Sequence, residues 1–261
     1  MKLLVNHQTH YRYTELARNS VQSIKMMPQS SLHQNIETWH ISVPGLYDCK
    51  RDAFNNLWIT ATQRHYYRDL TIMAQGVVDV HTTEVGHMHT HVSPLLFLQR
   101  TSMTECDAVM LDFAKEKVTV KSRHELILLA ESILQHIAYR PYTTSVTTSA
   151  IDAFYAREGV CQDHAHVFIA MCRALQLPAR YVSGYLYDQN QPHLASHAWA
   201  EVFVENEWYC FDVSNQIFSP QNHIYVAIGR DYLDVAPVRG IREQGGVESM
   251  ISTEQVLACL T

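Results

Sequence analysis

The hydrophobic pattern changes character twice along the chain. From residue 1 to about 92, β-branched and aromatic residues occur in short runs broken by turn signals, with little helical spacing, and this predicts β structure. The expected strands cover 2–13, 21–27, 38–43, 56–62 and 70–81. Pro28-Gln29-Ser30-Ser31, Pro44-Gly45 and residues 52–56 punctuate them. Strands at this spacing suggest a small sandwich or barrel. Between 86 and 105 the texture shifts through a histidine-rich stretch into Thr104-Glu105-Cys106-Asp107, which reads as a helix start. Helical spacing then predicts helices over 107–115, 122–138, 149–157 and 162–175. In the second of these, Leu126, Leu129, Ala130, Ile133, Leu134 and Ile137 form one stripe. After Leu177-Pro178 the period becomes two, and strands are expected over 179–187, 197–204, 208–213 and 223–228, with 249–260 as a further candidate. Helices followed by a mostly antiparallel sheet define an α+β fold. The expected organisation is an all-β, sandwich-like N-terminal domain over 1–95 and a core of helices packed on an antiparallel sheet over 96–261.

Composition supports a folded chain and narrows its partners. Of 261 residues, 47% are apolar and 18% charged, enough hydrophobic surface for a sizeable core. The formal charge of −6 lacks the electrostatic footprint of a general nucleic-acid binder. The start, Met1-Lys2-Leu3-Leu4-Val5-Asn6-His7, is too briefly apolar for a secretory signal, and no stretch approaches the roughly 18 apolar residues of a membrane span. A cytoplasmic protein with no membrane association is therefore expected. The six cysteines form no C-x-x-C pair, which argues against a disulfide framework and a zinc knuckle.

One cysteine stands apart. Gly159-Val160-Cys161-Gln162-Asp163-His164-Ala165 lies where a loop becomes a helix, so Cys161 falls at the first helical turn. Backbone N–H groups and the helix dipole there favour a thiolate, and the same N–H groups could face an oxyanion. Asp163 opposes this unless it points away. The stripe Ala165, Phe168, Cys172 and Leu175 would fix the helix in a core, with Cys172 a plain buried residue. A nucleophilic thiol needs a base and an orienter for that base. On the strand Ser196 to Val204, His197 shares a face with Trp199, Glu201 and Phe203, while Ala198, Ala200, Val202 and Val204 take the buried face. If Glu205-Asn206 is a two-residue loop, Val204 pairs with Glu207, and Asp212 becomes the diagonal neighbour of His197. A three-residue loop would put them on opposite faces. The catalytic set expected on this basis is Cys161, His197 and Asp212.

These segments resemble the transglutaminase-like superfamily, a papain-related group with Cys, His and Asp in that chain order. The likeness to bacterial members runs through Val146 to Ala150, Gly159 to His166, Arg173-Ala174-Leu175, Pro178 to Tyr185, Ser196 to Glu201, Phe211-Asp212, Val226 to Tyr232 and Asp234 to Gly240. A β-rich region before the core also resembles those members. Two departures are visible: His164 stands where an aromatic or apolar residue is usual, and Val213-Ser214-Asn215 replaces the frequent Pro-Thr-Asn. The resemblance implies a thiol-dependent hydrolase of amide or peptide bonds acting through a thioester, with a protein or peptide as substrate and no cofactor or metal. Acyl transfer to amines and a non-catalytic peptide-binding module on the same fold are the alternatives. Oligomeric state is left open.

Other candidates read as structural. His87, His89 and His91 alternate but have no carboxylate or cysteine at ligand spacing, so an exposed loop is expected. His164 and His166 point about 200° apart on a helix and cannot serve one site, and His166 is expected as a structural hydrogen-bonder. Trp199 and Trp208 read as core more than as groove walls, and Asp231 and Tyr232 as either a capped turn or cleft residues. No calcium-loop pattern occurs.

Overall fold

The computed structural model describes residues 1–81, 92–190 and 196–259, so the run containing His87, His89 and His91 lies outside the described residues. In chain order the N-terminal strands are β1 (Lys2–Ile24), β2 (Gln34–Ser42), β3 (Leu46–Arg51), β4 (Leu57–Gln63) and β5 (Tyr67–Val80). A 3-10 turn (Pro94–Leu98) leads to α1 (Ala108–Lys117), α2 (Arg123–His136), β6 (Ala138–Tyr139), α3 (Ala150–Ala156), β7 (Glu158–Gly159) and α4 (Cys161–Ala174). Then follow β8 (Ala179–Leu186), β9 (Ser196–Val204), β10 (Glu207–Phe211), β11 (His223–Gly229), α5 (Tyr232–Val235), β12 (Val238–Gln244) and β13 (Glu248–Ala258). The fold is mixed α/β: a β-rich N-terminal region and a core of helices on a sheet.

The N-terminal sheet is organised about β1. The strands expected at 2–13 and 21–27 are one strand, because register shifts between Arg12 and Ala17 and between Arg18 and Val21 absorb the polar interruption without ending the ladder. Along one edge β1 pairs with β5 and then β4, giving the antiparallel order β2-β5-β1-β4-β3. Its other edge is taken by β13 along residues 3–13 and by β12 along residues 17–24. The division at 95/96 therefore needs correcting at its C-terminal end. Residues 238–258 hydrogen-bond to β1 and belong to the first sheet, because a 23-residue strand paired on one side leaves a second ladder of N–H and C=O groups to satisfy.

The second sheet, in the order β10-β9-β8-β11, is covered on both faces. Ala198, Ala200, Val202 and Val204 of β9 pack against the helices, among them Phe168 and Ile169 of α4. The opposite face is also dry: Trp199 is fully buried with Val182, Tyr225 and Ile228 beneath Phe54 and Phe97. Farther along, Tyr185, Ile224 and Val226 meet Leu3, Val5, Val78 and Val256 of the first sheet. The layers are thus helices, core sheet and N-terminal sheet, and the C-terminal strand β13 contributes to the sheet contact through Val256.

Glu201 shares the Trp199 face and is fully buried beside Arg180, with N–O distances of 2.5 and 2.6 Å, and it also accepts from Tyr225 Oη at 3.0 Å. Arg180 stacks on Trp208 at 4.2 Å. Removing one partner of a buried ion pair strands the other charge, so Glu201→Ala should lower unfolding free energy by about 3 kcal/mol in urea titration. The double variant Arg180→Met/Glu201→Leu should recover most of that loss.

Candidate active site

The Cys161 helix is started from behind. Val160 has extended backbone (φ −111°, ψ −173°) and no capping side-chain oxygen. Asp163 takes that role, its Oδ2 accepting from Val160 N and Thr144 Oγ1, both at 2.7 Å. The carboxylate is thereby turned back toward the preceding loop, as a thiolate at Cys161 would require. Burial raises its pKa, against the lowering effect of those two hydrogen bonds. Gly159 is needed for this cap: a Cβ there would lie 2.8 Å from Asp163 Oδ2. His164, the family departure, holds the same corner, its Nδ1 lying 2.8 Å from Val160 O and its Nε2 2.9 Å from Ile137 O.

The hairpin register is the one a two-residue loop demands. Glu207 pairs with Val204 and Phe211 with Ala200, and both loop residues are left-handed, Glu205 at φ 53° and Asn206 at φ 67°. Asp212 follows β10 and reaches His197 diagonally: His197 Nε2 lies 2.7 Å from Asp212 Oδ2. Cys161, partly buried at the first turn of α4, lies near enough to the imidazole to help raise its pKa. The three residues expected from the sequence are therefore brought together.

Asp212 is fully buried and heavily hydrogen-bonded. Beyond His197, its Oδ2 accepts from Asn215 Nδ2 at 2.9 Å, and its Oδ1 from Ser214 Oγ at 3.0 Å and Asn215 N at 3.2 Å. Ser214 and Asn215 of the Val213-Ser214-Asn215 segment thus supply donors to the carboxylate. A further donor escaped the sequence reading: His223, fully buried on β11, places Nε2 3.1 Å from Asp212 Oδ2. No local spacing marks it, because β11 joins β9 only across β8. Trp199 packs beside both histidines, stacked on His197 at 5.9 Å and edge-on to His223 at 4.6 Å, while the two imidazoles are 6.0 Å apart.

The electrostatics follow from burial and partner. Burial disfavours charge on His197, but the Asp212 charge and hydrogen bond, aided by Cys161, push its pKa up to about 10. Burial likewise disfavours the Asp212 anion, and His197 followed by His223 outweighs it, holding the carboxyl well below the usual range. His223 goes the other way: burial dominates over Asp212 and lowers its pKa, so it serves as a neutral donor. Ligand atoms of His197, Asp212 and His223 lie within 4.8 Å of one another, a grouping that could approach a metal ion. Two donors each about 2.0–2.2 Å from a zinc ion would stand roughly 3.4 Å apart at a tetrahedral angle, so the 2.7 Å between His197 and Asp212 is the length of a hydrogen bond rather than of a pair of metal ligands.

Other expected residues have structural partners. His166 Nε2 accepts from Tyr232 N at 3.1 Å, and burial first, then Arg173, lowers its pKa to about 3. Asp231 caps α5 by accepting from Leu233 N and Asp234 N. Cys172 is fully buried. Beside His197 a cavity of about 400 Å³ opens, walled by Tyr139, Ser196, Ser214 and Asn215 among others.

The β-rich N-terminal region and the core of helices on a sheet define a mixed α/β class, and comparison with known proteins gives the family. The transglutaminase-like superfamily profile matches residues 112–213 and the bacterial transglutaminase-like N-terminal region matches 3–79. An uncharacterized protein of Mycobacterium tuberculosis is 30% identical over 283 residues, covering 95% of this chain and 89% of its own length. One from Mycobacterium leprae is 27% identical over 273 residues, covering 95% and 96%. A crystal structure from Cytophaga hutchinsonii, of a protein provisionally described as a cysteine protease, superposes with a TM-score of 0.80 at 22% identity, covering 100% of this chain and 91% of that one. The chain belongs to the transglutaminase-like superfamily, whose members include thiol-dependent hydrolases and acyltransferases.

The raised His197 value fixes the sign of a pH effect. Its contribution to stability is complete below about 6.5 and is lost as pH rises through about 10; seen from Asp212, the same interaction is present above 3.8 and lost as pH falls. Asp212→Asn should therefore destabilise most between these limits and progressively less toward pH 10. In the same variant, NMR titration of the His197 ring should return a pKa near or below 6.5, because burial then acts without the opposing charge.

Proposed function

We propose that the protein hydrolyses amide or peptide bonds by a thiol mechanism. The observation that carries this reading is His197 held 2.7 Å from the Asp212 carboxylate, with Cys161 at the start of α4 near enough to help keep the imidazole protonated. The Cys161 sulfur, as thiolate, attacks the carbonyl carbon, and the resulting oxyanion faces backbone N–H groups of the first helical turn. Collapse breaks the C–N bond as the His197 imidazolium gives its proton to the departing amine, leaving a thioester. Neutral His197 then takes a proton from water, whose oxygen attacks the thioester. Collapse releases the acid and restores the thiolate and imidazolium.

Asp212 acts through His197 as a positioning residue, keeping Nε2 protonated and the ring aimed. Water is favoured over an amine as the second nucleophile because the cavity beside His197 is walled by the polar Ser196, Ser214 and Asn215.

The test is incubation of the protein with glutamine-containing peptides and a labelled primary amine. Free acid and free amine should appear without label in the product, and Cys161→Ala should lower turnover on the order of thousandfold or more. Label incorporation without free acid would reassign the site to acyl transfer, and absence of any turnover would leave a binding module.

A further inference from the structure

The cavity beside His197 has a charge character that the triad does not explain. Two carboxylates reach its wall, Asp188 just beyond β8 and Glu254 from β13, and among the described residues no lysine or arginine lines it. Glu254 comes from the last strand of the chain, so the N-terminal sheet supplies part of the wall of a cleft whose candidate machinery lies in the core.

Among the described residues, Glu254 pairs with no lysine or arginine. Its Oε1 accepts from Ser252 Oγ at 2.5 Å and lies 3.3 Å from His7 Nε2. His7 would be a counter-charge if protonated, but it is buried, its Nδ1 lies 2.9 Å from Tyr185 Oη, and burial lowers its pKa to about 4. At neutral pH it is a neutral ring. Burial raises the pKa of Glu254, only partly offset by the Ser252 hydroxyl, as befits a carboxylate in a partly dry wall with hydrogen bonds but no ion pair. Asp188 likewise accepts from a neutral donor, Asn190 N at 2.8 Å. A cation entering this space would meet two carboxylates that no lysine or arginine among the described residues of the wall neutralises.

His197 decides which half of a substrate that cation belongs to. In the hydrolytic reading the imidazolium delivers its proton to the departing amine, so the space adjoining His197 is where the amine half lies. We propose that the cleft selects substrates bearing a positive charge on the amine side of the scissile amide, a lysine or arginine side chain there being read by Glu254 and Asp188. The inference rests on the amide-cleaving reading and names its substrate class.

Cleavage-site profiling of a proteome-derived peptide library tests it in the full-length protein. Lysine and arginine should be enriched immediately after the cleaved bond, with aspartate and glutamate depleted. For matched peptides, kcat/KM should favour lysine over norleucine at that position by about tenfold. Glu254→Gln and Asp188→Asn should each shrink that ratio, mainly through KM, while Glu254→Asp should retain part of it.

A second arm does not depend on turnover: calorimetry of lysine amide and norleucine amide binding to Cys161→Ala. Cleavage without charge preference, or a preference untouched by both neutralising variants, overturns the inference and leaves the hydrolytic reading intact. No cleavage, with lysine amide bound more tightly than norleucine amide, overturns the hydrolytic reading and keeps the cation site. Equal or no binding in that case overturns both.

Discussion

A buried carboxylate that must remain charged is the constraint around which this structure is arranged. Asp212 is taken fully out of water, which by itself would protonate it. It is kept as an anion by convergent donors from separate parts of the chain: His197 on β9, His223 on β11, and Ser214 and Asn215 from its own loop. In return the anion raises the His197 pKa, so the imidazole carries a proton beside the Cys161 sulfur. Charge on one buried group thus sets the protonation of the next.

The surrounding layers hold these groups in register. β9 is dry on both faces, its alanine and valine side against α4 and its tryptophan side beneath Phe54 and Phe97. Shifting His197 relative to Cys161 would disturb both packed faces at once. The linker before α1 is tied into the same core by the buried Arg173 guanidinium, which donates to Phe97 O, Thr104 Oγ1, Ala179 O and Arg230 O. The N-terminal sheet and the returning strands β12 and β13 then cover the far side, where Glu254 joins the cleft wall.

What the sequence disclosed and what it concealed follow from the range of the interactions. The β9–β10 register was legible because a two-residue loop allows one pairing, and Glu205-Asn206 adopts the left-handed pair such a turn requires. The placement of Cys161 was legible because helix starts have local signatures. β3 was not, since all six of its residues are exposed and leave no alternating apolar trace. Nor was the sheet that residues 238–258 join, because a period of two marks a strand without naming its partner. His223 was hidden for the same reason: its relation to Asp212 passes through β8, a neighbour that no spacing in the sequence reveals.

The central claim is that Cys161 is set apart from the other cysteines by the charged imidazole beside it. Site-resolved mass spectrometry of limited iodoacetamide modification near neutral pH examines this directly, because exposure and activation predict opposite orders. Cys49 is exposed and Cys161 only partly so. The account predicts that Cys161 is alkylated first and that His197→Ala removes its lead. Modification of Cys49 ahead of Cys161 in the native protein would contradict it.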